Sequence, residues 1–322
     1  MHHLVIGEGQ IGRAVIDRAL TGGDTVTVLR RTPARPEPGL RRVTGDLLAP
    51  DVLEQAIAGA DAIHACFHAP YDARIWAREL PPRELAVLEA AAAADVPVLF
   101  PESMYAFQGG ASDLAEGATP SPRDAKGEVR EALLAQRGAH PARTLSLIAA
   151  DLWGPTTVGT GAAVVTTMLI ERIAAGERPI VVGDPAAPHS LTFVPDLAEA
   201  MLHAARRAGS LAPEGDAVLH APSAPARSQA ELIAAAGSLR ARQPRRPLVV
   251  PQIAVRALSP LSTLARELHG IAGLWYRPCV LRPGRLSSVE GLEPTSWQKA
   301  LEATVRAAAA RAPSAEARPV TA

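Results

Sequence analysis

Cysteine and lysine are both nearly absent from this 322-residue chain, with Cys66 and Cys279 the two thiols and Lys126 and Lys299 the two lysines. Two isolated cysteines exclude a disulfide framework, and no His/Cys/Asp spacing typical of a metal site surrounds them, so no catalytic metal is expected. Reduced thiols fit a cytoplasmic protein, and no charged-then-apolar leader argues for export. Net charge is absent too: 33 basic residues balance 33 acidic ones, which removes the electrostatic pull toward nucleic acid or an anionic membrane. No apolar run approaches the ~18 to 20 residues of a membrane span. Aromatics are scarce, with Tyr71, Tyr105 and Tyr276 the three tyrosines.

What the chain does have begins at once. His3-Leu4-Val5-Ile6 reads as a short strand that runs into Gly7-Glu8-Gly9-Gln10-Ile11-Gly12 and then a helix with apolar positions at Ile11, Ala14, Val15, Ala19 and Leu20. This is the dinucleotide-binding fingerprint in its required context. Gly7 permits the tight turn, Gly9 lets backbone approach a diphosphate, and Gly12 lets the helix pack close to the sheet. The diphosphate would rest on the helix N-terminus. The second strand, Thr25 to Leu29, ends in Arg30-Arg31 where an NAD enzyme would carry an acid for the ribose 2′-hydroxyl. Arginines there suit the 2′-phosphate, so NADP(H) is the expected cofactor, with NAD(H) as the alternative.

Strands then alternate with helices. Residues 40–47 and 61–66 read as strands, with a helix from Asp51 (its N-cap) to Ile57 between them. Further on, 83–94 reads as a helix, 96–100 as a strand, 108–121 as a loop, 124–137 as a helix and 144–150 as a strand. The pattern predicts an α/β fold with a doubly wound, Rossmann-type parallel sheet. Asp151-Leu152-Trp153-Gly154-Pro155 marks a break. The expected division is a dinucleotide-binding domain over 1–155 and a smaller substrate-binding region over 156–322, with about 187–207 returning to the first domain. Helices are expected at 162–175, 196–207 (Asp196 as N-cap), 228–237 and 296–311, strands at 180–182 and 190–194, and a frayed tail over the last dozen residues.

Over residues 1–210 the chain resembles the extended short-chain dehydrogenase/reductase superfamily, of the NAD-dependent epimerase/dehydratase type. The resemblance rests on an ordered set of segments: the glycine motif, Gly45-Asp46-Leu47, Asp61-Ala62-Ile63-His64-Ala65, Ser103-Met104-Tyr105-Ala106-Phe107, Leu152-Trp153-Gly154-Pro155, and His189 through Ala198. It implies that Asp46 and Leu47 lie beside the adenine, and that the loop at His68-Ala69-Pro70 runs along the cofactor's ribose and phosphates. It also makes a homodimer an expectation. The family's usual catalytic set is Ser or Thr plus Tyr-x-x-x-Lys. Ser103 stands at the serine position and Lys126 at the lysine, where it would hold the nicotinamide ribose, but Pro122 occupies the tyrosine position. Proline has no proton to transfer, so the pattern resembles an atypical branch of the superfamily.

Tyr105, two residues past Ser103, is the nearest substitute acid if a cation lowers its pKa. His68, His189 and a desolvated Glu102 are further candidates. The leading expectation is an oxidoreductase or epimerase-like enzyme acting on a small carbonyl or hydroxyl compound. Ser103 and Tyr105 would polarise the substrate oxygen while Lys126 holds the ribose. The alternatives are a non-catalytic nucleotide sensor and a cofactor-assisted isomerase or dehydratase.

Overall fold

A computed structural model describes residues 1–240 and 244–312. Six strands and four helices alternate through the first half: β1 (His2–Ile6), α1 (Gln10–Thr21), β2 (Thr25–Arg30), β3 (Leu40–Thr44), α2 (Pro50–Ile57), β4 (Ala62–Ala65), α3 (Ala73–Ala94), β5 (Val98–Ser103), α4 (Ala125–Gly138) and β6 (Thr144–Ala149). With the later strand Asp216–His220 they make one seven-stranded sheet, ordered β3, β2, β1, β4, β5, β6, then 216–220. Every pairing in it is parallel. The Rossmann-type fold expected from the alternating pattern is therefore present. Chain direction across the sheet reverses between β1 and β4, which opens a crevice at the carboxyl ends of those strands.

The strands are buried on both faces, as parallel strands covered by helices must be. Leu4, Ile6, Leu29, Ile63 and Val98 face α2 and α3. Val5, Val26, Val28, Leu99 and Leu147 face α1 and the helix Val194–Arg206, which packs beside α1. A third core, built around Trp153, Leu169, Val181, Leu274 and Leu301, fills the region after residue 150. That region also gives the sheet its seventh strand.

Several boundaries differ from the sequence reading. Asp51 lies in the first turn of α2, behind Ala49 and Pro50, and does not cap it. Helix α3 starts ten residues before 83, because the Asp72 carboxylate caps it by accepting from Arg74 N–H, and it carries Pro81 and Pro82 inside. The 108–121 loop is in part a 3₁₀ segment, Met104–Asp113. Within the helix expected at 162–175 lies a π-helical turn at Thr166–Ile170. Asp196 does not cap its helix either; its carboxylate accepts from the N–H and hydroxyl of Thr295 at 2.8 and 2.6 Å. The expected frayed tail lies, beyond Ala312, outside the described residues.

Candidate active site

Backbone builds the first part of the site. Gly7 ends β1 with φ of +97°, a left-handed value that disfavours a side chain. A Cβ on Gly7 would stand 2.9 Å from the Cys66 carbonyl and the Phe67 nitrogen, and one on Gly12 would stand 2.0 Å from the Gly7 carbonyl. These two glycines let loop, helix and β4 close on one another. Gly9 is different, since nothing lies within 4 Å of where its Cβ would be. The open space is at the start of α1, whose N-cap is Gly9, with no side-chain cap and no acid in its first turn. The buried Oε1 of Gln10 also lacks a partner. Free amides at the positive end of a helix dipole, reached across a residue without a side chain, fit a diphosphate. Gly7, Gly9, Gln10, Ile11 and Gly12 thus form a tight turn with open space at the uncapped start of α1.

Beside this cradle sits a charge cluster. Arg30 donates to Glu8 Oε2 at 2.5 Å, while Arg42 and Arg13 donate to Glu8 Oε1 at 3.1 and 3.3 Å. Arg42 and Arg13 also reach Glu37, at 2.9 and 2.6 Å, and Arg13 pairs with Asp17. Burial alone would raise the Glu8 pKa, but Arg42 and Arg30 hold it below the usual carboxylate range. Arg31 is exposed. Asp46 is exposed as well and accepts from Leu48 N–H at 3.1 Å, whereas Leu47 is buried against the β1 core.

His68 follows β4. Its Nε2 lies 2.7 Å from Arg130 Nη2, a donor, so Nε2 accepts and Nδ1 donates to the Ala69 carbonyl at 2.7 Å. Burial, with Arg130 second, lowers its pKa to about 4, so the ring is neutral at pH 7. Behind it Glu102, buried at the end of β5, meets Arg137 at 3.0 Å and Arg130 at 3.4 Å. Burial was expected to turn Glu102 into a proton carrier. It does raise the pKa, but the two guanidiniums outweigh it and hold the group below its ordinary value. Glu102 also accepts from Ser103 N–H at 2.7 Å and from its hydroxyl at 3.3 Å, which fixes Ser103 at the strand end.

Tyr105 stacks on Trp76, and its hydroxyl lies 3.1 Å from that of Tyr71. Lys126, in the first turn of α4, is almost fully buried. Its ammonium donates to the carboxylate and carbonyl of Glu267 at 2.7 and 2.9 Å, stands 3.3 Å from Asp124 and lies over the Tyr71 ring. Glu267 belongs to the helix Thr263–Gly270, which is also tied to the N-terminus of α3 by Arg266 and Asp72 at 3.1 Å. The structure thus brings Lys126 and Tyr105 to the two sides of Tyr71. The cation does not lower Tyr105: burial raises the pKa of both tyrosines.

One group nearby has the acidity the tyrosines lack. Asp151, just past β6, is pushed up to about 7 by burial, against the amides of Val165 and Leu152, and its charge is felt at Tyr105 and Cys279. Its Oδ2 is buried without a partner. His189, the other imidazole candidate, stacks on Trp275 with ring centroids 4.2 Å apart and is lowered to about 4 by burial. Sequence reading missed Glu8, Tyr71, Asp151 and Glu267. An acid inside the apolar run Ala149-Ala150-Asp151-Leu152-Trp153 was the available signal for Asp151. Among the described residues no group of three or more His, Cys, Asp or Glu side chains could hold a metal, and no helix is long and apolar enough to cross a membrane.

The sequence model of the NAD dependent epimerase/dehydratase family matches residues 3–218. No curated protein sequence matches the chain. Among solved structures, UDP-glucose 4-epimerase from Thermotoga maritima, with UDP-glucose, superposes with a TM-score of 0.72 at 18% identity, covering 95% of this chain and 98% of that one. The dTDP-glucose 4,6-dehydratase of Bacillus anthracis, with NAD, gives 0.73 at 12% identity, covering 95% and 96%. UDP-glucose 4-epimerase from Thermus thermophilus, also with NAD, gives 0.69 at 19% identity, covering 96% and 99%. At these identities the structures speak for the fold.

Proposed function

Because the chain belongs to the NAD dependent epimerase/dehydratase family, we propose that it is a nicotinamide-dependent oxidoreductase or epimerase-like enzyme acting on a small carbonyl or hydroxyl compound. The observation that carries this reading is the cradle: two glycines that admit no side chain, a third that faces open space, and an uncapped helix N-terminus behind them. When bound, the nicotinamide supplies a hydride acceptor or donor. Gly7, Gly9, Gln10, Ile11 and Gly12 would hold the diphosphate, Asp46 and Leu47 the adenine end, and His68, neutral and braced by Arg130, the ribose and phosphate side. The expected NADP(H) preference meets Glu8 in this arrangement, since Arg30 is already ion-paired.

At the substrate end, Ser103 and the protonated Tyr105 donate hydrogen bonds to the reacting oxygen, and Asp151 exchanges the proton. A group near pH 7 serves either direction of transfer, which the raised tyrosines do not. Lys126 holds the nicotinamide ribose once Glu267 releases it. The reading includes a cytoplasmic protein, a substrate-binding region after residue 155 and a homodimer. The similar UDP-glucose and dTDP-glucose enzymes suggest nucleotide-linked hexoses as first substrates to try.

The test is to follow reduced nicotinamide by absorbance against a panel of such hexoses and simple carbonyls, with Asp151→Asn and Lys126→Ala alongside. Turnover that falls in both variants supports the roles. Product formed without net change in the nicotinamide would identify the isomerase or dehydratase variant of the reading. Pro122 and the buried Lys126–Glu267 pair favour one other reading, a nucleotide sensor, which predicts tight binding with no turnover on any substrate.

A further inference from the structure

We propose that Glu8 selects the dinucleotide: its carboxylate already occupies the arginine cluster where a 2′-phosphate would bind, and so reserves the cradle for a free ribose 2′-hydroxyl. The inference rests on the dinucleotide reading above. It makes the chain NAD(H)-selective in spite of its arginines.

The position of Glu8 is fixed by its neighbours. It sits between Gly7 and Gly9, at the lip of the cradle, while Arg30 ends β2 and Arg42 lies on β3, the two strands next to β1 on that side of the sheet. Both carboxylate oxygens are engaged, Oε2 by Arg30 and Oε1 by Arg42 and Arg13, and the Glu8 side chain is only 11% exposed. Charge in the cluster balances. Arg13, Arg30 and Arg42 face Glu8, Glu37 and Asp17. A phosphate would bring about two further negative charges into a neutral group, beside a carboxylate it could not displace without exposing the arginines. A hydroxyl brings none, and it can donate to Glu8.

Capacity for a phosphate is nonetheless latent. The Nε atoms of Arg30 and Arg42 are buried without partners, so both guanidiniums keep an unused donor. Taking away the Glu8 charge would leave the cluster net positive and short of acceptors, which suits the 2′-phosphate. Arg31 is exposed and its attraction is screened, so it does not decide the preference.

The experiment is a fluorescence titration of NADH and NADPH against the full chain, Glu8→Gln, Glu8→Ser and Glu8→Gln/Arg30→Gln. Wild-type protein should bind NADH more tightly. Either single variant should move the NADH-to-NADPH affinity ratio toward NADPH by about tenfold or more, the scale of one unit charge at hydrogen-bond range. Loss of Arg30 should abolish that gain. A wild-type preference for NADPH, or an unchanged ratio in both single variants, overturns the assignment of Glu8 while leaving dinucleotide binding intact. If the wild type binds neither nucleotide, the proposed function falls and this inference falls with it.

Discussion

Replacing Asp151 with asparagine should stabilise the protein at alkaline pH and leave it unchanged in acid. The folded-state pKa of Asp151 is raised to about 7 from 3.8 because its carboxyl is desolvated and no cation faces it. Between those two values the folded chain binds a proton that the unfolded chain has lost. Stability therefore falls as pH rises from 4 to 7, and the full penalty is carried above 7. Roughly three pKa units correspond to a ceiling of about 4 kcal/mol, and water penetration around the charged form should reduce the effect to about 2 kcal/mol. Asparagine keeps the shape of the neutral acid and removes the charge. Urea unfolding of both proteins at pH 4 and pH 8.5 gives the comparison, because His68 and His189, present in both, contribute the same pH dependence to each protein. A stability difference that is the same at both pH values, or a less stable variant at pH 8.5, would refute an uncompensated buried carboxylate. The same substitution should lower turnover, so the gain and the loss would coincide in one side chain.

Gly9→Ala should melt within a few tenths of a kcal/mol of wild type but bind NADH about tenfold or more weakly, whereas Gly12→Ala, whose Cβ meets the Gly7 carbonyl at 2.0 Å, should lose folding stability; thermal melts and titrations separate the two. Lys126→Met leaves the buried Glu267 carboxylate with Arg266, at 3.5 Å, as its remaining cation and should cost about 3 kcal/mol, much of which Lys126→Met/Glu267→Gln should recover, as measured by urea unfolding. Arg137→Met strands the buried Glu84 and leaves Glu102 to Arg130, and should cost about 3 to 5 kcal/mol by urea unfolding.

The parts legible in the sequence were the ones whose physics is local. A strand, a glycine turn and a helix within the first 21 residues need no distant partner, and they fixed the sheet's switch point and the cradle together. Where a contact spans the chain, the signal was silent: Glu267 reaches Lys126 across 141 residues, and nothing near either residue announces it. Lys126 stood out by its rarity and by its place at the lysine position of the catalytic set. Arg130 and Arg137 share its helix face, and a row of cations on an otherwise apolar stripe was readable as a buried charge network. The start of α3 was hidden by Pro81-Pro82, which reads as a break but lies inside the helix. The acidity of Asp151 depends on what surrounds it, and no spacing rule reports that.

The seventh strand has a consequence for synthesis. Asp216–His220 pairs along β6 from Thr144 to Ile148, so until residue 220 has left the ribosome β6 is an open edge of unpaired amides and carbonyls flanked by apolar side chains. Such an edge recruits other strands. The nascent first half is therefore a species to be shielded, and a chain cut at 155 should aggregate where the full chain stays dispersed, a difference that sedimentation of the two would reveal.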